Sequence, residues 1–102
     1  MQRSHRKAAR QLEWSKRSIA DRKKIARFYS EEASLFIALE ADLEIVAAAR
    51  RVLRRPLAYR EGKRAGTREC IMRRFPYILV YRIRPTTISI VRVLHQAMSY
   101  FN

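Results

Sequence analysis

Toward the C-terminus, Arg68, Arg73, Arg74, Arg82, Arg84 and Arg92 are interleaved with Tyr77 and Tyr81 and end beside His95. A guanidinium offers a planar fork of donors that matches a phosphate or a carboxylate, and a tyrosine stacks on a base or fills an interface pocket. Arg68, Arg73, Arg74, Tyr77, Tyr81, Arg82, Arg92 and His95 are therefore the candidate binding residues. The plainer alternative is that strand arginines face water and the tyrosines are core. Catalytic chemistry is harder to find. His5 and His95 have no Cys, Asp or Glu at ligand spacing, so no metal site is expected. The chain's 2 glycines cannot build a phosphate-cradling loop, and no cofactor is expected. Cys70 falls at a core-facing position of a predicted strand and reads as packing rather than as a nucleophile. The Asp and Glu residues lie mostly on predicted helices among Arg and Lys, and no pair stands out as general acid and base.

The charge balance narrows the partner. Lys and Arg number 23 against 9 Asp and Glu, a formal +14 on 102 residues. Such a field attracts polyanions or an acidic protein and speeds their encounter. The length bounds one domain with a two-layer core. Cys70 is the only cysteine, which excludes an internal disulfide. The absence of an apolar run of about 18 residues excludes a membrane-spanning helix. Met1–Arg10 is cationic without the apolar stretch of a secretory signal, so a cytoplasmic protein is expected. A basic disordered tail is expected over residues 1–10 and a single domain over 11–102.

The elements that must position the arginines read as follows. Gln11–Ser15 predicts a short strand with Leu12 and Trp14 on one face. Ser18 is the predicted N-cap of a first helix, with Asp21 three residues on as a capping-box partner. Ile19, Ile25, Phe28 and Tyr29 form its apolar stripe. A second helix is predicted from about Glu31 to Leu53, where Leu35, Phe36, Leu39, Leu43, Val46 and Leu53 recur at three- and four-residue steps as its large apolar residues and the run Ala47–Ala49 allows close approach of another element. Pro56 ends it, and Arg50, Arg51, Arg54 and Arg55 complement its dipole. The short join predicts an antiparallel hairpin. Leu57–Gly66 reads as a loop carrying Gly62 and Gly66. The period then switches to two, predicting strands over Thr67–Arg74, Tyr77–Arg84 and Thr87–Leu94, with a turn at Arg84–Thr87. The fold class is α+β: a short strand, a helix hairpin, then a three-stranded antiparallel meander.

Gly66-Thr67-Arg68-Glu69, the run Arg74-Phe75-Pro76-Tyr77-Ile78-Leu79-Val80-Tyr81-Arg82-Ile83, and Ile88 through Gln96 follow one another in an order that resembles the RelE/ParE toxin superfamily, its ParE branch above all. Trp14, Asp21 with Ile25 and Tyr29, and Leu53 three residues before Pro56 extend the likeness from about Leu12 to His95. The resemblance implies a β-α-α-β-β-β domain and an acidic cognate antitoxin that wraps it. It also implies a toxin of a type II toxin–antitoxin system, of the plasmid-stabilisation kind.

The two branches of that superfamily differ in target. RelE-like members are ribosome-dependent mRNA endoribonucleases that use basic residues and a C-terminal tyrosine; ParE-like members inhibit DNA gyrase. The ribonucleases carry Arg where this chain has Ile78, lysines where it has Glu69 and Ile71, and Arg at the position aligned with Ala97. An aliphatic side chain cannot hold a scissile phosphate, and a glutamate repels it. Gyrase is the expected target, with the ribosome and mRNA as the alternative. Arg22, where the family usually has an apolar residue, and the bland Ala97-Met98-Ser99-Tyr100 depart from the pattern. Tyr100, Arg73 and Arg74 are the residues that a ribonuclease reading would recruit. An antitoxin lying between the helix hairpin and the sheet would pair with Arg82 and Arg92.

Overall fold

Ser15 decides where the first helix begins. The computed structural model describes residues 9–97, in which a strand β1 (Gln11–Trp14) runs into helix α1 (Lys16–Glu32). Ser15 is extended, and its hydroxyl oxygen accepts the Ser18 backbone N–H at 3.0 Å while donating to the Val91 carbonyl at 2.9 Å. The predicted cap, Ser18, instead sits inside the first turn, fully buried, its hydroxyl returned to the Ser15 carbonyl. Both serines satisfy the local capping rule. The carbonyl from a distant strand that gives Ser15 a second partner leaves no local trace. The expectations for His5, the rest of the tail over residues 1–8, and Tyr100 lie outside the described residues.

Helix α2 (Leu35–Arg54) starts at Ser34, whose side chain accepts from the Ile37 N–H, so the join to α1 falls at Ala33–Ser34 rather than before Glu31. Arg51 and Arg54 lie in its last turn. Arg22 of α1 reaches Asp42 of α2 through paired bonds of 2.9 and 2.8 Å, as the expected antiparallel hairpin requires. The same guanidinium lies 4.4 Å from the centre of the Trp14 ring. The out-of-pattern arginine thus replaces an apolar contact with a cation–π contact and a bidentate ion pair.

The sheet is larger than a three-stranded meander. Its order is β1-β5-β4-β3-β2, with β2 at Arg60–Glu61, β3 at Arg68–Ile71, β4 at Tyr77–Ile83 and β5 at Thr87–His95. β1 lies parallel to β5, from Gln11 opposite Thr87 to Trp14 opposite Ile90, and the other pairings are antiparallel. The predicted loop Leu57–Gly66 begins inside a 3-10 turn at Pro56–Ala58 and then holds β2, which is too short to show a period. β3 is shorter than the predicted Thr67–Arg74, because the chain turns at Met72 toward β4. Gly66 takes φ +80, a left-handed conformation that glycine adopts without penalty.

The core corrects the prediction most. The buried face of α2 is Ala38, Ala41, Ile45, Ala48, Ala49 and Val52, whereas Leu35, Phe36, Leu39 and Leu43 are between 57 and 69 % exposed. Alanines let the helix axis approach the sheet, where Ala41, Ile45, Ala48, Ala49 and Val52 join Cys70, Leu79, Tyr81, Ile88, Ile90 and Val93 in one cluster. Ranking faces by side-chain size selects the wrong one here. On α1, Ile25 is buried and Tyr29 packs edge-on against Phe75, while Ile19 and Phe28 are exposed. Among the described residues, no helix is long and apolar enough to cross a membrane.

Tyr81 ties this core to the end of the hairpin. It is fully buried and donates its hydroxyl to the Pro56 carbonyl. Burial pushes the hydroxyl up to about 12. A phenol whose folded pKa is raised contributes stability that is complete below its unfolded pKa and is lost as pH climbs through the folded one. Tyr81→Phe is expected to cost about 1 kcal/mol in urea unfolding at neutral pH. The difference between the two proteins should shrink above about pH 10.

Candidate functional site

The helices cover one face of the sheet, and the other carries a basic cleft. Along β4, Tyr77, Leu79 and Tyr81 point into the helical core, so Ile78, Val80 and Arg82 lie on the opposite face. There Val80, Val91 and Leu94 form an apolar floor beneath Arg17, Lys63, Arg64, Arg82 and Arg92, enclosing about 90 Å³ with Thr67 and Glu69. A register shift in the β4–β5 ladder makes the site: Tyr81 pairs with Ile90 but Val80 with Arg92, so Val91 is the extra residue of a bulge. A bulge bends the strand and places neighbouring side chains toward one face.

That bulge is held from α1. Past the end of β1, the edge of β5 meets Asp21, which accepts from Arg92 Nε at 2.9 Å, from Arg92 Nη2 at 3.1 Å and from the Val93 backbone N–H at 2.9 Å. The Asp21 side chain is only 12 % exposed. The hydrogen bond to Asp21 raises the Arg92 pKa further. Asp21, predicted as a helix cap, therefore positions the cleft.

The structure disperses most of the candidate residues. Arg82 and Arg92 share the cleft, Arg82 donating to the Ala65 carbonyl at 3.2 Å. Arg68 donates to the Tyr59 carbonyl at 2.6 Å and lines a separate hollow with Leu57, Gly66 and Ile83. Arg74 pairs with Glu40 of α2 at 2.7 Å, and Arg73 is exposed beside it on the β3–β4 connection. Tyr77 and Tyr81 are buried, as the plainer alternative had it. His95 is exposed, edge-on to Tyr77 at 5.5 Å, and its Nδ1 accepts from the Ala97 N–H. Arg17, Lys63 and Arg64 were missed. Lys63 and Arg64 did leave a signal, a cationic pair between Gly62 and Gly66 where a loop comes close to other chain. Arg17 left none.

The cleft sets one carboxylate among its basic side chains. Glu69 on its wall is 6 % exposed and accepts from Arg60 Nη2 at 2.8 Å and Nε at 3.1 Å. An incoming phosphate meets a carboxylate beside the arginines. Ile78 is buried, and burial raises the Tyr77 pKa far above neutral, so its hydroxyl stays protonated. Among the described residues, no group of three or more His, Cys, Asp and Glu is arranged for a metal. Cys70 is buried and desolvation raises its thiol pKa. A thiol-reactive maleimide at neutral pH should label it only as the protein unfolds; rapid stoichiometric labelling of the native protein would contradict its core position.

A helix hairpin on a five-stranded sheet, with a basic cleft on the open face, defines a small α+β domain. The model of the ParE toxin family, from the parDE type II toxin–antitoxin systems, matches residues 12–100, and the chain belongs to this family. Among solved structures, the chromosomal ParDE toxin–antitoxin system from P. aeruginosa superposes with a TM-score of 0.78, at 21 % identity over 85 % of this chain and 96 % of that one. The toxin–antitoxin complex RelBE2 from Mycobacterium tuberculosis aligns with a TM-score of 0.61 at 26 % identity, covering 86 % of this chain and 99 % of that one. No curated protein matches the chain.

Proposed function

We propose that this chain is a cytoplasmic toxin that inhibits DNA gyrase by binding and is neutralised by an acidic cognate antitoxin. The observation that carries the choice of target is the composition of the cleft. Glu69 stands on its wall and Arg92 is committed to Asp21; outside the cleft, on the same strand as Val80, Ile78 is buried at a position where the resemblance gives the ribonucleases arginine. These features favour recognition over phosphodiester cleavage, and membership of the ParE family supports the same target. The antitoxin follows from the family and from a net charge of +14, which an acidic protein offsets. Its acidic segment lies in the cleft against Arg17, Arg64 and Arg82.

One observation favours a second reading, a ribosome-dependent endoribonuclease: the cleft's rim of arginines and a lysine suits an RNA phosphate. Purified toxin in a gyrase supercoiling reaction, and in parallel in a translating ribosome reaction, separates the two. The expected result is loss of supercoiling with intact mRNA. Cleaved mRNA with unaffected supercoiling would establish the ribonuclease instead.

A further inference from the structure

Three stretches of the chain hold no Asp or Glu at all: residues 1–12, 45–60 and 70–102. The fold brings parts of all three to one pole of the domain, where α2 stops, β1 begins and β4 turns into β5. Arg10 leads into β1 and donates its Nε to the Arg84 carbonyl in that turn at 2.8 Å. It also lines two adjoining hollows, one with Arg55, Pro56 and Leu57, the other, of about 910 Å³, with Arg54, Pro56 and Pro85. The side chains of Arg54, Arg55 and Arg84 are exposed and pair with no described carboxylate, unlike Arg22, Arg60, Arg74 and Arg92. Glu13 and Glu61, the acids nearest in sequence to Arg10 and Arg55, line neither hollow. Arg51 and Arg54 complement the dipole of α2, but Arg10, Arg55 and Arg84 lie outside that helix and add charge it does not need.

We infer that this pole grips the phosphate backbone of duplex DNA, as a second basic site separate from the cleft. No residue of the cleft lines either hollow, and the two surfaces share none of their arginines. Arg10, Arg54, Arg55 and Arg84 come from three elements with nothing acidic between them. Such a spread suits a run of phosphates better than a single anion, which needs donors that converge. The residues around the hollows include no aromatic side chain, so a single strand finds no ring on which to stack its bases. A protein partner finds little to bury, since Leu57 is the one large apolar residue exposed among them. What remains is contact with a regular backbone, in which each neutralised phosphate releases counterions. The choice of DNA among duplexes rests on the gyrase reading above, because that target works on DNA; the pole adds a hold on the DNA itself.

The test uses the full chain and a fluorescein-labelled DNA duplex of about 20 base pairs, read by anisotropy. Affinity should fall about a hundredfold between about 50 and 200 mM salt, the dependence that four arginine–phosphate contacts give. With Arg54→Gln, Arg55→Gln and Arg84→Gln combined, that fall should shrink to about fourfold, and binding at the lower salt should weaken at least about tenfold. The circular dichroism spectrum should not change, because the three side chains have no partner to lose. Arg54→Lys, Arg55→Lys and Arg84→Lys together keep the charges and should keep most of the salt dependence. A matched control, Lys23→Gln with Lys24→Gln and Arg27→Gln, removes the same charge from exposed positions of α1 and should leave binding within about threefold. Equal losses in the two Gln variants overturn the inference, since net charge alone then explains the binding. So does tighter binding of a single strand or of duplex RNA of the same sequence, or no binding at low salt. Displacement of the DNA by poly-glutamate at equal charge also overturns it, since the occupant is then an acidic protein. The gyrase reading is checked separately, by whether the wild-type chain inhibits supercoiling. Inhibition without pole-dependent DNA binding removes the pole and leaves the target; pole-dependent DNA binding without inhibition removes the target and leaves the pole.

Discussion

Replacing Asp21 by alanine is expected to lower the unfolding free energy by roughly 3 kcal/mol, because it strips partners from two groups at once. The Arg92 guanidinium loses both hydrogen bonds, and the Val93 N–H at the free edge of β5 loses its acceptor. At about 4–8 °C per kcal/mol for a domain of this size, the melting temperature falls by roughly 12–24 °C. Asp21→Asn keeps one oxygen for the Val93 N–H and should recover part of that loss. Arg92→Ala should cost less than Asp21→Ala, since Val93 keeps its acceptor. A loss below about 1 kcal/mol for Asp21→Ala, read from urea unfolding, would mean that the bulge is held by something other than this carboxylate.

The second large effect is a contrast between residues two apart on α2. Ile45→Ala should destabilise by about 2–5 kcal/mol, whereas Leu43→Ala should change stability by no more than about 0.5 kcal/mol. Ile45 is completely buried against the sheet and Leu43 is 67 % exposed. The order reverses if the face predicted from side-chain size is the one that packs. Urea midpoints for the two variants decide it, and similar losses at both positions would require Leu43 to be covered by a second chain in solution.

That contrast also marks how far the sequence could be read. The strands β4 and β5 were legible because alternation over Tyr77–Ile83 and a β-branched run from Thr87 are signals that need no partner. The hairpin was legible because the helical period and Pro56 are local too. The packing face of α2 was legible only in the run Ala47–Ala49, of which Ala48 and Ala49 are fully buried; the rest of that face was not. Alanine is as good a core residue as leucine where the backbone must come close, and only the sheet's position says that it must. β2 escaped notice because a two-residue strand is defined by its neighbour. The cleft was half legible: its arginines on strands were found, but Arg17 comes from the start of a helix, and its arrival depends on how α1 crosses β5. Tyr77 and Tyr81 illustrate the converse. Their type fits an interface and a core alike, and depth alone assigns them to the core.

The parallel partnership of β1 with β5 has a consequence in time. Ser15 must wait for Val91, 76 residues later, before its hydroxyl finds the carbonyl it bonds, and Asp21 must wait for Arg92, 71 residues later. Contacts so distant along the chain carry the loop-closure cost that makes folding slow. During synthesis the N-terminal strand leaves the ribosome without its neighbour, and the sheet closes only after β5 has emerged. A product that stops before β5 cannot assemble the bulge or the cleft. The basic surface therefore comes into being late, only once the strand that carries Val91, Arg92 and Leu94 has been made.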